Sequence, residues 1–342
     1  MIFAPVIIPT LNRKTHLENL LYSLENNPWA KFTEVFISVD YPPSDKYLSG
    51  YNEVCAFLDN FENTNNFKSL IVIKQEKNLG PFENSKFLEQ IISEKYGYDR
   101  WIYTEDDNVF APNFLEYIDK GLDLFDKDED VMAICGFHDL TKDFGKKFNL
   151  KDNVVKQLCH VPYGYGILKK NNDIFYKEKE EVLLGHKYDN IFNIFRLFRT
   201  NKLLFTVYVR NILCGNKVPE WVSGELQNTD CIRGIYNFFK NKCCIIPVIY
   251  KSHSEGFDGS GFNMAARNIN PNEAWPLDSE LSFDFIYETP FLVKKEIIKE
   301  LDLQTKYNFL SLIKTWILYF IYLRCKKNRC QTLNFLSSIR NR

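Results

Sequence analysis

Three consecutive carboxylates, Glu105-Asp106-Asp107, follow the apolar run Arg100-Trp-Ile-Tyr-Thr104 and precede the helical pattern that opens at Pro112. Oxygen ligands of this kind suit a hard divalent cation, Mg2+ or Mn2+. Such an ion takes few ligands from the protein and the rest from water and substrate phosphates. A cation so placed neutralises a diphosphate as it leaves. An acidic triplet by itself is more often a solvated turn; its position at the end of a buried-type strand makes it a candidate site. A second carboxylate, Asp40, ends another strand-like run, Glu34-Val-Phe-Ile-Ser-Val-Asp40.

The rest of the first 125 residues supplies the elements that bring these carboxylates together. Short apolar runs at Phe3–Pro9, Glu34–Asp40, Leu70–Lys74 and Arg100–Thr104 read as strands. Helical spacing is found at His16–Glu25, with Thr15 as its expected N-cap, and at Tyr51–Phe61, Phe82–Tyr96 and Pro112–Phe125. Strand–helix alternation of this kind implies right-handed crossovers and a mainly parallel sheet with flanking helices, an α/β fold of Rossmann-like type. Ligands of such sheets sit at the C-terminal ends of the strands. Asp40 and Glu105-Asp106-Asp107 both fall there.

The pattern is looser after residue 130. Val131–Cys135 and Cys243–Ile249 read as strands, Tyr163-Gly-Tyr-Gly-Ile-Leu168 as a glycine-rich apolar segment, and Ser252–Gly261 as a flexible loop. Residues 171–215 are mixed, aromatic and basic, and fit an acceptor-side insertion.

Composition narrows the function classes. The chain has 342 residues, 45% hydrophobic and 25% charged, an ordinary globular balance that excludes disordered, collagenous and disulfide-miniprotein classes. No uncharged apolar run reaches the roughly 18 residues of a membrane span. A net charge of −1 argues against a nucleic-acid partner. Nine cysteines without CxxC or zinc-site spacing suggest free thiols in a reducing cytoplasm, and Met1 leads into a strand with no basic leader region. Charge is uneven: residues 303–342 hold eight basic residues and no acidic one, which leaves −9 on residues 1–302. The apolar, aromatic stretch Tyr307–Leu323 sits inside this basic segment and reads as an interfacial helix on an anionic membrane surface.

The segment Arg100-Trp-Ile-Tyr-Thr-Glu-Asp-Asp-Asn-Val-Phe-Ala-Pro-Asn-Phe-Leu-Glu-Tyr117 resembles the metal-site segment of N-acetylglucosaminyltransferase I and its relatives. These are inverting glycosyltransferases of GT-A fold. Their motif is a hydrophobic strand, Glu-Asp-Asp, an apolar residue, Ala-Pro, and then Phe-(Phe/Leu)-Glu-Tyr. Other segments follow in the family's order. Val6-Ile-Ile-Pro-Thr10-Leu-Asn-Arg13 is similar to the first strand and its donor-approaching arginine, and Ile37-Ser-Val-Asp40 to the strand whose Asp contacts uracil. Asn78-Leu-Gly80 sits where the family has a donor loop, and Gly164 and Gly166 lie in a segment similar to the one beside the donor sugar. Ser252-His253-Ser-Glu-Gly resembles the Ser-His-Gly region near the nucleotide sugar.

The resemblance implies a donor of UDP- or dTDP-sugar type, UDP-N-acetylglucosamine among them, and a glycan or lipid-linked acceptor. On it, Asp107 holds Mn2+ or Mg2+, Glu105 and Asp106 position the donor ribose or sugar, and Asp40 accepts the base N–H. Asp230, with Glu225 as the competing residue, is the general base that deprotonates the acceptor. The implied organisation is a nucleotide-sugar half at 1–125, an acceptor half at 126–302 and a basic helical tail at 303–342. The implied role is surface polysaccharide synthesis, capsule or lipopolysaccharide, at the inner face of the cell membrane. Two rival classes are a sugar-1-phosphate nucleotidyltransferase and a non-catalytic carbohydrate-binding protein on a transferase fold. The first needs a glycine-rich phosphate loop after strand one, and Thr10-Leu-Asn-Arg-Lys-Thr15 has no glycine.

Overall fold

A computed structural model describes residues 2–61, 65–184, 187–214, 229–261, 266–289, 291–304 and 309–324. In chain order the elements are β1 (Val6–Thr10), α1 (Lys14–Glu25), β2 (Glu34–Val39), α2 (Leu48–Phe61), β3 (Ser69–Lys74), α3 (Pro81–Gln90), β4 (Arg100–Tyr103), β5 (Asn108–Phe110) and α4 (Phe114–Leu124). They continue with β6 (Val131–Cys135), α5 (Phe144–Lys147), β7 (Val154–Gln157), β8 (Tyr165–Leu168), α6 (Lys169–Leu184), α7 (Ile191–Thr200) and α8 (Lys202–Cys214). The remainder is α9 (Thr229–Lys240), β9 (Cys243–Pro247), β10 (Ser252–Ser254), α10 (Pro271–Ala274), α11 (Lys295–Gln304) and α12 (Phe309–Arg324).

Eight strands form one sheet in the order β3-β2-β1-β4-β8-β6-β9-β7. β1, β2, β3 and β4 pair in parallel, and so do β6 and β9. β8 runs antiparallel between β4 and β6, and β7 runs antiparallel along β9. The sheet is therefore mixed but mainly parallel. Central strands covered on both faces carry continuous apolar runs, as in β1 and β2, where Val6, Ile7, Ile8, Val35, Phe36 and Ile37 are fully buried.

The chain divides into two units. The first comprises 1–157, 161–173 and 243–292 and holds both sheets; the second comprises 158–160, 174–242 and 293–342. Within the second unit, α8 packs against α7, α9 and α12.

Local differences from the sequence reading have physical causes. The first helix starts at Lys14 with Arg13 in the N-cap position, so Thr15 is helical and caps nothing. The helix after Gly80 ends as α3 at Gln90 and continues as a π-helical turn over Ile91–Lys95. The segment at 252–261 is not loop throughout. Its first three residues form β10, which pairs antiparallel with β5 in a separate two-stranded sheet. Residues 171–215 are helical over most of their length, and the tail helix is observed as α12.

Candidate functional site

The C-terminal ends of β1, β2 and β4 lie side by side in the sheet, and each delivers polar residues. From β1 come Thr10 and, at the start of α1, Arg13. From the β4–β5 turn come Glu105, Asp106 and Asp107. The Thr10 hydroxyl donates to Asp106 Oδ2 at 2.7 Å. The Arg13 guanidinium bridges both acids: one nitrogen pairs with Asp106 and the other donates to Asp107 Oδ2 at 2.8 Å. Asp106 and Asp107 are both buried, whereas Glu105 is exposed.

Burial pushes the Asp106 carboxyl above its ordinary value; Arg13 opposes that shift and Asp107 adds to it. Burial works against the Arg13 cation, but the two facing carboxylates outweigh it and hold the guanidinium charged. A buried pair of acids of this kind requires a cation between them. In this chain Arg13 is that cation, at a separation of 93 and 94 residues in sequence.

β10 closes the other side. Its pairing sets Ser254 opposite Asn108 and His253 opposite Val109. Alternation along a strand sends Ser252 and Ser254 to one face and His253 to the other. The Ser254 hydroxyl donates to Asp107 Oδ1 at 3.4 Å, and the Glu255 N–H donates to the Asp107 carbonyl at 2.7 Å. Gly256 then passes so close that a Cβ there would overlap the Asp107 carboxylate. His253 is fully buried with Nδ1 2.9 Å from the Trp275 carbonyl, and burial pushes its pKa down against the Trp275 bond and Glu255. The segment that follows is tied to α1: Asn19 donates to Glu255 at 2.9 Å, and His16 Nε2 lies 3.0 Å from Asp258. Hydrogen bonds from Ser260 and the nearby His16 outweigh burial and hold the Asp258 carboxyl down at about 2.

Asp40 directly follows β2, and its carboxylate accepts four hydrogen bonds. The N–H of Tyr41 and of Leu79 reach Oδ1 at 2.9 and 2.8 Å; the N–H of Gly80 and the Asn78 amide reach Oδ2 at 2.8 and 3.1 Å. Four acceptor bonds use the capacity of a carboxylate, so Asp40 holds the 78–80 loop in place. Asn78 completes the clamp by donating to the Tyr41 carbonyl at 2.7 Å. Gly80 has φ 78°, a left-handed value that suits glycine, and Pro81 follows as the first residue of α3.

Gly166 lies in β8 opposite Ile102 and Ile134, where a Cβ would overlap Ile118 of α4. Gly164, at φ 80°, accepts from the Gly136 N–H at 2.8 Å and lies against Phe110 and Phe114. Thr10, Arg13, Asp106 and Asp107 are thus brought into one hydrogen-bonded cluster, while Asp40, Asn78 and Gly80 form a second, adjoining strand end. Glu225 lies outside the described residues. Asp230 lies in α9, and its side chain is outside the described set. Ser254 and Gly256 escaped the sequence reading as site residues.

The donor set suits a divalent cation chemically. Asp106 and Asp107 offer hard oxygens, and Arg13 already stands between them as a positive charge.

No family model matches the chain, and no curated protein matches it. Among solved structures it is similar to the mannosyltransferase PcManGT from Pyrobaculum calidifontis in complex with GDP-Man and Mn2+. That likeness has a TM-score of 0.38 and 11% identity, covering 70% of this chain and 73% of that one. It is also similar to S. aureus TarS 1-349, at a TM-score of 0.37 and 16% identity, covering 68% of this chain and 88% of that one. A third likeness is to mouse xyloside xylosyltransferase 1, at 0.28 and 8%, covering 50% and 68%. These are distant likenesses, and the functional reading rests on the site.

Proposed function

We propose that the chain is a metal-dependent glycosyltransferase of GT-A type that moves a sugar, with inversion, from a UDP- or dTDP-sugar to a glycan or lipid-linked acceptor. One observation carries this reading: Thr10, Arg13 and Ser254 converge on Asp106 and Asp107, which follow β4 in the segment whose sequence resembles a sugar-transferase metal site. Asp107, with Asp106 beside it, would hold Mn2+ or Mg2+. The ion would supply charge neutralisation for the diphosphate leaving group.

The chain's own residues do the rest. Arg13 pairs with both acids and brings a positive charge to where phosphates would lie. Ser254 and the Glu255 N–H fix the orientation of Asp107. Asp40 holds the 78–80 loop, so the main chain of that loop, rather than the saturated carboxylate, faces the nucleotide base. Glu105, exposed at the mouth, reaches the ribose or sugar. Asp230 or Glu225 takes the proton of the acceptor hydroxyl as it attacks the anomeric carbon. The product would belong to a surface polysaccharide, with N-acetylglucosamine as the first sugar to try.

Nucleotide release from UDP-, dTDP-, GDP- and CMP-sugars, with and without Mn2+, tests the reading in wild type and Asp107→Asn. Metal-dependent release from one donor is expected, reduced on the order of a hundredfold or more by the substitution. Thermal shift in the same wells reads donor binding. The absence of both release and metal-dependent binding across the panel would falsify the transferase assignment.

A further inference from the structure

The second unit contains a helix that is packed inside out. The side of α12 facing the unit carries Thr315, Tyr319 and Tyr322, all buried. Tyr319 donates to the Asp189 carbonyl at 2.8 Å, and Tyr322 donates to the Asp189 carboxylate. Asp189 is itself buried, so these bonds fix the rotation of the helix about its axis. The opposite side is left to solvent, and it is the apolar one. Phe309 and Leu310 are each 72% exposed, and Ile313, Ile317 and Phe320 continue the row at spacings of three and four. Lys314 and Arg324 flank this row and are also exposed.

A second row adjoins it. Trp316 of α12 packs on Phe198 of α7 and Phe205 of α8, with ring centroids 5.4 and 4.9 Å apart. The neighbouring helix α7 exposes Ile191, Phe192 and Phe195, with Arg196 and Arg199 on the same exposed side. Large exposed apolar surface of this extent marks an interaction site.

Charge indicates what covers it. Residues 303–342 carry eight basic and no acidic residues, and α7 adds two exposed arginines. Pairing two copies of the chain through this face would set like charges opposite one another. Over its described residues α12 has 16 residues, a rise of about 24 Å, short of a hydrocarbon core of about 30 Å. No helix among the described residues is long and apolar enough to cross a membrane.

We propose that the second unit docks on an anionic phospholipid surface, with α12 lying in the interfacial plane. Its Phe/Ile/Leu row enters the acyl boundary, the row on α7 adds to it, and Lys314, Arg324, Arg196 and Arg199 meet the headgroups. This docking stands independently of the sugar-transfer reading, because it involves neither donor nor metal.

The test is flotation of the full chain with vesicles of phosphatidylcholine alone and of phosphatidylcholine and phosphatidylglycerol at roughly two to one. Binding is expected to the anionic vesicles, weak to the neutral ones, and diminished by salt. Ile317→Gln/Phe320→Gln is expected to lower partitioning about tenfold or more, and Phe192→Gln/Phe195→Gln to lower it further, both with unchanged nucleotide release and circular dichroism. Absence of flotation by the wild type overturns the proposal. So does equal binding to both vesicles, or undiminished binding by both double variants. A dimer in light scattering that the double variants dissociate overturns it in favour of self-association.

Discussion

Each unit contains a buried aspartate that accepts from neighbouring side chains, and the two are used in opposite ways. At the strand ends, Asp106 and Asp107 are the proposed functional groups, and Thr10, Arg13 and Ser254 hold them. In the second unit, Asp189 is the holder: it turns the polar side of α12 inward and leaves the apolar side outside. The first arrangement buries charge and must supply a counter-ion. The second buries hydroxyls and exposes hydrocarbon, which calls for a partner surface. A buried carboxylate is therefore not diagnostic of chemistry; what it holds, or what holds it, decides its part.

The strongest way to break this contrast is to remove the counter-ion. Arg13→Met leaves two acids without their cation and is expected to cost about 3 kcal/mol of stability, read by chemical denaturation. Mn2+ should raise the melting temperature of this variant more than that of wild type, because the ion replaces the missing charge. No rise in either would mean the carboxylates are not a cation site. Next in size is Asp189→Ala, which deprives Tyr322 of its carboxylate acceptor while the Tyr319 bond to the main-chain carbonyl remains, at a cost of about 2 kcal/mol. If Asp189 sets the helix rotation, the variant also floats less well with anionic vesicles; unchanged flotation would separate the two.

The smallest effect concerns a third carboxylate, Asp119 in α4. One oxygen accepts from the Ala4 N–H at 2.9 Å, and the other has no partner among the described residues. Burial pushes this carboxyl from its ordinary 3.8 up to about 7, with the Ala4 bond and Arg100 opposing. The folded chain then retains a proton that the unfolded chain has released, so stability falls as pH rises from about 4 through about 7. Asp119→Asn should flatten that slope and gain roughly 1 kcal/mol at pH 8. A slope identical to wild type would show that Asp119 is not its source.

Much of this was readable from the sequence where signals are local. The run at 131–135 is a strand with the expected bounds, the run at 34–40 is a strand that stops one residue short, and the acidic triplet does close a buried strand. What escaped is long-range or short. Arg13 as the counter-ion of Asp106 and Asp107 cannot be read from spacing, because its partners lie over 90 residues away. β10 is three residues long, polar in composition and followed by glycines, so nothing local separates it from loop. The antiparallel placement of β8 depends on two neighbouring strands rather than on its own residues. Asp40 was legible as a strand-end carboxylate, but three of its four donors come from a loop nearly 40 residues on.

The ladder between β5 and β10 also bears on assembly. The bonds that finish the acidic site join residues 94, 96 and 147 apart in sequence. Contacts of such separation carry a loop-closure cost before they return any stability. On the ribosome, β1, β2, β3 and β4 are available long before Ser254 has been synthesised. The carboxylates are thus laid down early in synthesis and oriented last, when the segment at 252–256 joins β5.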